Sequence, residues 1–180
     1  MRVDGLLLRE AQESDVAPLL AFRNDPDVNR FMLRTYVEPD NFRQELLAGG
    51  DSDFSCVAEL DGSAVALGFL EVVDGMGQPG KPLRTEGMIG YIVDPRCSGR
   101  GVATRVARGL LAAAFDHLGL RRVTAGANAD NHASVRVLEK VGMRREQYGV
   151  EDSWHAGLGW VDGCQYAILA REWYAQRPPG

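Results

Sequence analysis

One short segment constrains this chain more than any other. An apolar run, Met88–Val93, is closed by Asp94–Pro95. It leads through Arg96-Cys-Ser-Gly99-Arg-Gly101 into an uninterrupted helical stripe. The stripe comprises Val102, Ala103, Val106, Ala107, Leu110, Leu111, Ala114, Phe115 and Leu118, and Gly119 stops it. A strand that feeds a helix through a glycine-rich loop leaves the first helical N–H groups without internal partners. The helix dipole favours an anion at that end. Gly99 and Gly101 allow close backbone approach to a pyrophosphate, and Arg96, Arg100 and Arg105 add positive charge. No Lys-terminated phosphate loop is present, and Thr104 stands where a dinucleotide fingerprint wants glycine or alanine. A plain connection into a helix and a phosphate site therefore remain equally open from the local sequence.

The rest of the chain supplies a mixed α/β frame. Leu6–Arg9 reads as a strand, and Ser14 or Asp15 caps a helix running to about Asn24. Asp25–Pro26 breaks that helix, with a short helical turn through Phe31. Pro39 opens the next helix and Gly49–Gly50 ends it. Phe54–Leu60 and Val65–Val73 alternate on either side of Asp61–Gly62, a tight-hairpin signal. Asp74–Leu83 is a loop, Arg122–Ala127 a strand and Asn131–Val141 a helix capped by Gly142. A strand after Met143 and another around Gln165–Arg171 complete the reading, with the segment between them irregular. At 180 residues the expectation is one domain over 1–180.

Composition narrows the function. The net charge is −5, which argues against whole-surface attraction to nucleic acid or an anionic membrane. Cys56, Cys97 and Cys164 are odd in number and widely spaced, so they read as reduced thiols in a cytoplasmic protein, with no metal site. The longest apolar stretch, about Ala64–Leu70, is far short of a membrane span, and no signal peptide is expected. Glycine is in excess, at 21 residues, and most of it falls at turns.

Arg96-x-x-Gly99-x-Gly101-x-Ala103 resembles the acetyl-CoA signature of the GNAT superfamily of N-acetyltransferases, Gln/Arg-x-x-Gly-x-Gly/Ala. Leu8-Arg-Glu-Ala-Gln-Glu-Ser-Asp15 is similar to that superfamily's opening strand and helix. Further segments resemble its RimJ/RimL-type branch, the ribosomal-protein N-terminal-alanine acetyltransferases. They are Arg23-Asn-Asp-Pro-Asp-Val28 with Arg30-Phe-Met32, Ile89-Gly-Tyr91, Asn131-His-Ala-Ser134 through Leu138-Glu-Lys-Val-Gly-Met143, and Arg171-Glu-Trp173.

The resemblance implies a mostly antiparallel mixed sheet of about seven strands flanked by helices. A splayed parallel pair, Met88–Val93 and Arg122–Ala127, would hold acetyl-CoA as co-substrate. Ile92 and Val93 match the backbone that pairs with the pantetheine arm. Main-chain groups of Arg96, Cys97, Ser98, Gly99, Arg100 and Gly101 would hold the pyrophosphate, with Val102, Ala103 and Thr104 just inside the helix. Asn131 and Ser134 would face the cofactor, Ser134 near the sulfur. Many relatives carry a thiolate-protonating tyrosine where this chain has Leu138.

The chemistry needs a base for the amine and a donor for the oxyanion. Glu86 shares a strand face with Met88, the branch's usual glutamate position, and is the first candidate base; Glu151 and Asp152 are second. The Ile92 N–H is the expected oxyanion donor, and Gly90 is expected to leave room beside the thioester. Trp154, His155 and Trp160, the loop at Asp74–Leu83, and Phe22, Phe31, Met32 and Tyr36 are candidate acceptor borders. The expected acceptor is a primary amine, of a protein N-terminus or a small molecule. A non-catalytic acyl-CoA-binding module is the alternative, and a homodimer is left open.

Overall fold

The computed structural model describes residues 1–48 and 54–176. Eight strands form a single sheet. They are β1 (Arg2–Val3), β2 (Leu6–Arg9), β3 (Phe54–Leu60), β4 (Ser63–Val73), β5 (Glu86–Val93), β6 (Arg122–Asn128), β7 (Arg144–His155) and β8 (Gly159–Leu169). Their spatial order is β1-β2-β3-β4-β5-β6-β8-β7. Every neighbouring pair is antiparallel except β5 and β6. The strand beyond the expected seven is β1, two residues folded back on β2 through Asp4 and Gly5, both at positive φ. Asp61 and Gly62, likewise at positive φ, make the tight turn between β3 and β4.

Among the described residues six α-helices cover the two faces: α1 (Val16–Arg23), α2 (Pro26–Asn29), α3 (Pro39–Ala48), α4 (Val102–Ala112), α5 (His132–Lys140) and α6 (Ala170–Ala175). The glycine stop expected at Gly49–Gly50 lies outside the described residues. A wider π-type turn, Ala113–His117, continues α4 and keeps its stripe against the sheet as far as Phe115; Leu118, expected to extend the stripe, is exposed. On that face Val106, Leu110 and Phe115 pack with Leu70, Ile89, Val123 and Ile168. On the other face Leu19, Phe22, Val37 and Phe42 cover Val57, with Ile92 against them. Burial of these apolar surfaces is the main force holding the layers together.

Two sequence expectations give way near the C-terminus. The segment between the last two strands is not an irregular loop: β7 and β8 form one long hairpin. Alternation hides it because the register slips between Gly149 and Ser153, where β7 inserts extra residues opposite β8. The last strand ends at Leu169, and Arg171–Trp173 is helical. There Glu172 accepts the Leu169 N–H at 2.8 Å, capping α6.

Candidate active site

The β5–β6 ladder is short. Only Glu86↔Arg122, Gly87↔Val123 and Met88↔Thr124 pair, and beyond them the strands separate. Thr124 Oγ1 donates to the Gly87 carbonyl at 3.3 Å at the fork. Backbone direction on β5 is fixed at both ends. The Arg121 N–H donates to the Thr85 carbonyl, so odd-numbered residues point their polar groups toward β6. The Asp94 N–H donates to Val65 on β4, so even-numbered residues point the other way. Tyr91 and Val93 therefore present N–H and C=O groups to the gap. Ile92 does not: its N–H faces β4, so the expectation that it serves as oxyanion donor does not hold. For the same reason only Val93 of the expected pair, Ile92 and Val93, offers its backbone to a pantetheine arm.

A cavity of about 460 Å³ opens where the strands part. Ile89, Tyr91 and Ile92 form one wall and Ala125, Gly126 and Ala127 the other. Asn131, Ser134 and Leu138 reach it from α5, and Phe31 and Met32 from the segment after α2. Asp152, Ser153, His155, Asp162 and Cys164 reach it from the β7–β8 hairpin. Among the described residues that line it there are two carboxylates and no lysine or arginine. The room expected beside Gly90 is occupied: a Cβ there would collide with the Phe69 ring, which lies over this glycine.

The two carboxylates are held differently. Asp162 accepts the Tyr148 hydroxyl at 2.6 Å and the Glu151 N–H at 2.8 Å. These donors keep its carboxyl below the usual range. Asp152 sits above Gly149 and Gly163, where any side chain would collide with it, and among the described residues its carboxylate takes only the Ser153 hydroxyl, at 3.0 Å. The slip in β7 turns it into the cavity. His155 is a strut. Its Nδ1 accepts the Gly157 and Leu158 N–H groups at 3.1 Å, so its proton sits on Nε2, which donates to the Asn29 carbonyl at 3.2 Å.

On α5, Asn131 Oδ1 accepts the Ser134 N–H at 3.1 Å, so the asparagine is a true N-cap as well as a cavity residue. Ser134 Oγ lies 3.1 Å from the Tyr91 hydroxyl. Burial pushes the Tyr91 phenol up to about 12, with the Ser134 hydrogen bond acting in the opposite direction. Sequence reasoning missed this partner. The signal was the alternation of β5, which places Tyr91 on the helix-facing side with Ile89.

Residues 96–104 lie beyond the cavity, at the carboxyl end of β5 and the N-terminus of α4. The N-terminus of α5 follows the carboxyl end of β6, so both helix starts flank the same end of the parting strands. Gly99 and Gly101 adopt φ of 74° and 72°, with open space where a Cβ would be. Conformation, not crowding within the chain, selects glycine there. Gly101 caps α4 without a side chain, which leaves the N–H groups of Val102, Ala103 and Thr104 for a ligand. The arginines are partly spent. Arg96 clasps Asp94 at 2.6 Å, and Arg105 donates to the Asp4 and Arg100 carbonyls at 3.1 Å. Arg100 lies 3.8 Å from Asp61. Ser98 ends the 3₁₀ turn that buries Cys97. This turn corrects part of the phosphate expectation: the Arg96 N–H is taken by the Asp94 carboxylate, and those of Cys97, Ser98 and Arg100 by the Asp94, Pro95 and Cys97 carbonyls.

Other expected residues fall elsewhere. Glu86 does share a face with Met88, but it is ion-paired with Arg121 and with Arg122 (3.5 Å) and does not line the cavity. Trp154 and Trp160 stack edge-on, centroids 5.4 Å apart, and are exposed. Phe22 is core, Tyr36 is exposed, and no residue of Asp74–Leu83 lines the cavity.

Comparison with known proteins agrees with this geometry. Residues 5–144 match the family model for the acetyltransferase (GNAT) domain. YnaD of Bacillus subtilis, an N-acetyltransferase by name, is 35% identical over 85 residues, covering 47% of this chain and 49% of YnaD. The chain thus spans about half the length of the curated relatives it matches. A GNAT-family acetyltransferase from Bacillus anthracis superposes with a TM-score of 0.79 at 25% identity, over 96% of this chain and 99% of the other. The Vibrio cholerae spermidine N-acetyltransferase, solved with CoA and spermine, shares the fold at 17% identity and a TM-score of 0.76, over 94% and 98% of the chains. With the matched domain model covering most of its length, this chain belongs to the GNAT acetyltransferase family.

Proposed function

We propose that this protein transfers an acetyl group from acetyl-CoA to a primary amine by direct attack. One observation carries the reading. The backbone of Tyr91 and Val93 opens into a gap beside a carboxylate-lined cavity, at the same end as the free N–H groups of α4. Acetyl-CoA supplies an activated acyl thioester. Val93 and the N–H groups of Gly99, Gly101, Val102, Ala103 and Thr104 would hold it, and Asn131 and Ser134 border its path. Asp152 takes the proton of the acceptor amine, directly or through a water. It replaces Glu86 as first choice because Glu86 is committed to two arginines outside the cavity. The Tyr91 N–H faces the position where the oxyanion forms. Ser134, backed by Tyr91, donates a hydrogen bond to the departing sulfur.

The RimJ/RimL-type motifs support a protein N-terminus as acceptor. The cavity volume, within the range of small-molecule sites, supports a small amine as the second reading. A panel of amines and N-terminal peptides assayed for CoA release and product mass tests both. Acetyl-CoA binding with no acceptor raising turnover above background would replace the enzyme by an acyl-CoA-binding module.

A further inference from the structure

A second cavity, of about 430 Å³, lies between α1, α3 and the face of β3–β5. It shares Phe69 and Ile92 with the first, so the two adjoin along β5. Their charges are opposite. The first cavity carries Asp152 and Asp162, whereas the second carries Arg23 and Arg34 against a single acid, Glu45.

Arg23 is the unusual member. It is 5% exposed, yet it donates only to neutral acceptors, Asn29 Oδ1 and the Arg34 carbonyl, both at 2.7 Å. Among the described residues no carboxylate lies within ion-pair distance of it. Buried charges are normally paired, because desolvating an ion costs several kcal/mol. Burial and neighbouring Arg34 both act against its charge, and only Glu45 favours it. Glu45 is engaged by Arg34 at 3.0 Å in a half-exposed pair, which is weak and easily exchanged for another anion.

We infer that the second cavity is an anion subsite of the acceptor: the preferred substrate is a primary amine that also carries a carboxylate. Its amine would lie by Asp152 in the first cavity. Its carboxylate would cross Phe69 and Ile92 to Arg23 and Arg34, where a guanidinium fork matches two carboxylate oxygens. This rests on the acetyltransferase reading and narrows it.

The test pairs each carboxylate with its carboxamide. Linear ω-aminocarboxylates of three to eight carbons, and the dipeptide Ala-Asp against Ala-Asn, are compared as acceptors by CoA release. The same compounds are titrated into the protein by calorimetry without acetyl-CoA. A carboxylate preference of about tenfold in kcat/KM or Kd is expected at one chain length or in the dipeptide pair, the size of a charge-assisted hydrogen bond. Arg34→Gln, at an exposed side chain, should cut that preference to below about threefold. Arg23→Lys should keep part of it, because charge remains while the fork is lost. Equal use and equal binding of every pair would overturn the subsite. Acetylation without preference removes the subsite and keeps the enzyme. Selective binding without acetylation keeps the subsite and removes the enzyme.

Discussion

The Tyr91 hydroxyl meets Ser134 Oγ at 3.1 Å, joining the middle of β5 to the first turn of α5 across the gap where the sheet divides. The contact gives Ser134 a fixed position beside the expected sulfur. A lone serine hydroxyl is a weak acid, so hydrogen bonding rather than proton donation is its contribution. Ser134→Ala should lower kcat about tenfold to a hundredfold, as loss of a bond to a developing anion. Tyr91→Phe, which keeps the ring, should cost about fivefold, as loss of the neutral hydrogen bonds to the Ser134 hydroxyl and, at 3.4 Å, to its carbonyl. The Tyr91 phenol is pushed up to about 12. The pH–rate profiles of Tyr91→Phe and wild type should therefore run parallel to about pH 10. A limb lost in the variant below that pH would make Tyr91 an acid.

Asp152→Asn should reduce kcat by about a hundredfold or more, the contribution of a positioned general base. The loss should be greatest at low pH, where the acceptor amine is protonated and most needs a base. Glu86→Gln removes the partner of Arg121 and Arg122 and should act on stability before rate. Parallel pH–rate measurements on the two variants decide between them: a larger loss in Glu86→Gln would return the base to β5.

Gly99→Val and Gly101→Val should each weaken acetyl-CoA binding by about tenfold, since a left-handed backbone costs an L-residue roughly 1–2 kcal/mol. Gly99→Asn should bind better than Gly99→Val, because asparagine tolerates that conformation. Open space around both glycines makes the comparison clean. Titration calorimetry with acetyl-CoA reads the order, and equal affinities would remove the loop from the phosphate site.

Arg9 grips Asp15 through two bonds, at 2.7 and 2.9 Å, and the Gln12 N–H adds a third. The Arg9 guanidinium is the first cause that holds the Asp15 carboxyl below the usual carboxylate range; desolvation opposes it and the Gln12 N–H adds to it. A carboxyl lowered in the folded state stabilises fully above its unfolded pKa, about 3.9, and loses that stabilisation as acid protonates it. Asp15→Asn should cost about 1–3 kcal/mol at pH 7, and the difference should shrink as the pH falls below the unfolded value of about 3.9. Urea unfolding at both pH values checks the sign.

Much of the frame was legible. The stripe from Val102 to Phe115 and the turns at Asp61–Gly62, Gly119 and Gly142 announce themselves through period and φ preference. The left-handed turns at Gly99 and Gly101 were visible because glycine spacing encodes backbone conformation. The hairpin side of the cavity was not. A two-against-four register slip between Gly149 and Ser153 erased the strand pattern of β7, so the turn that aims Asp152 inward looked like loop. Glu86 failed as a cavity residue for a different reason: alternation gives the face of a side chain, whereas Arg121 and Arg122, set by the β6 register, decide where its charge goes. The Ile92 donor failed because sequence fixes side-chain alternation, but the neighbour toward which an N–H points depends on which strands flank β5.

The early parting of β5 and β6 makes a central strand behave in part like the margin of the sheet. Interior by position, Tyr91 and Val93 keep the open valence of an edge on one side. A pantetheine arm laid along them would serve as an inserted strand and complete the ladder that the polypeptide leaves unfinished. Amide exchange at these two positions should accordingly be fast for mid-sheet residues in the free protein and slow once CoA is bound. The ligand would then be part of the secondary structure, and local order around the site would rise with its occupancy.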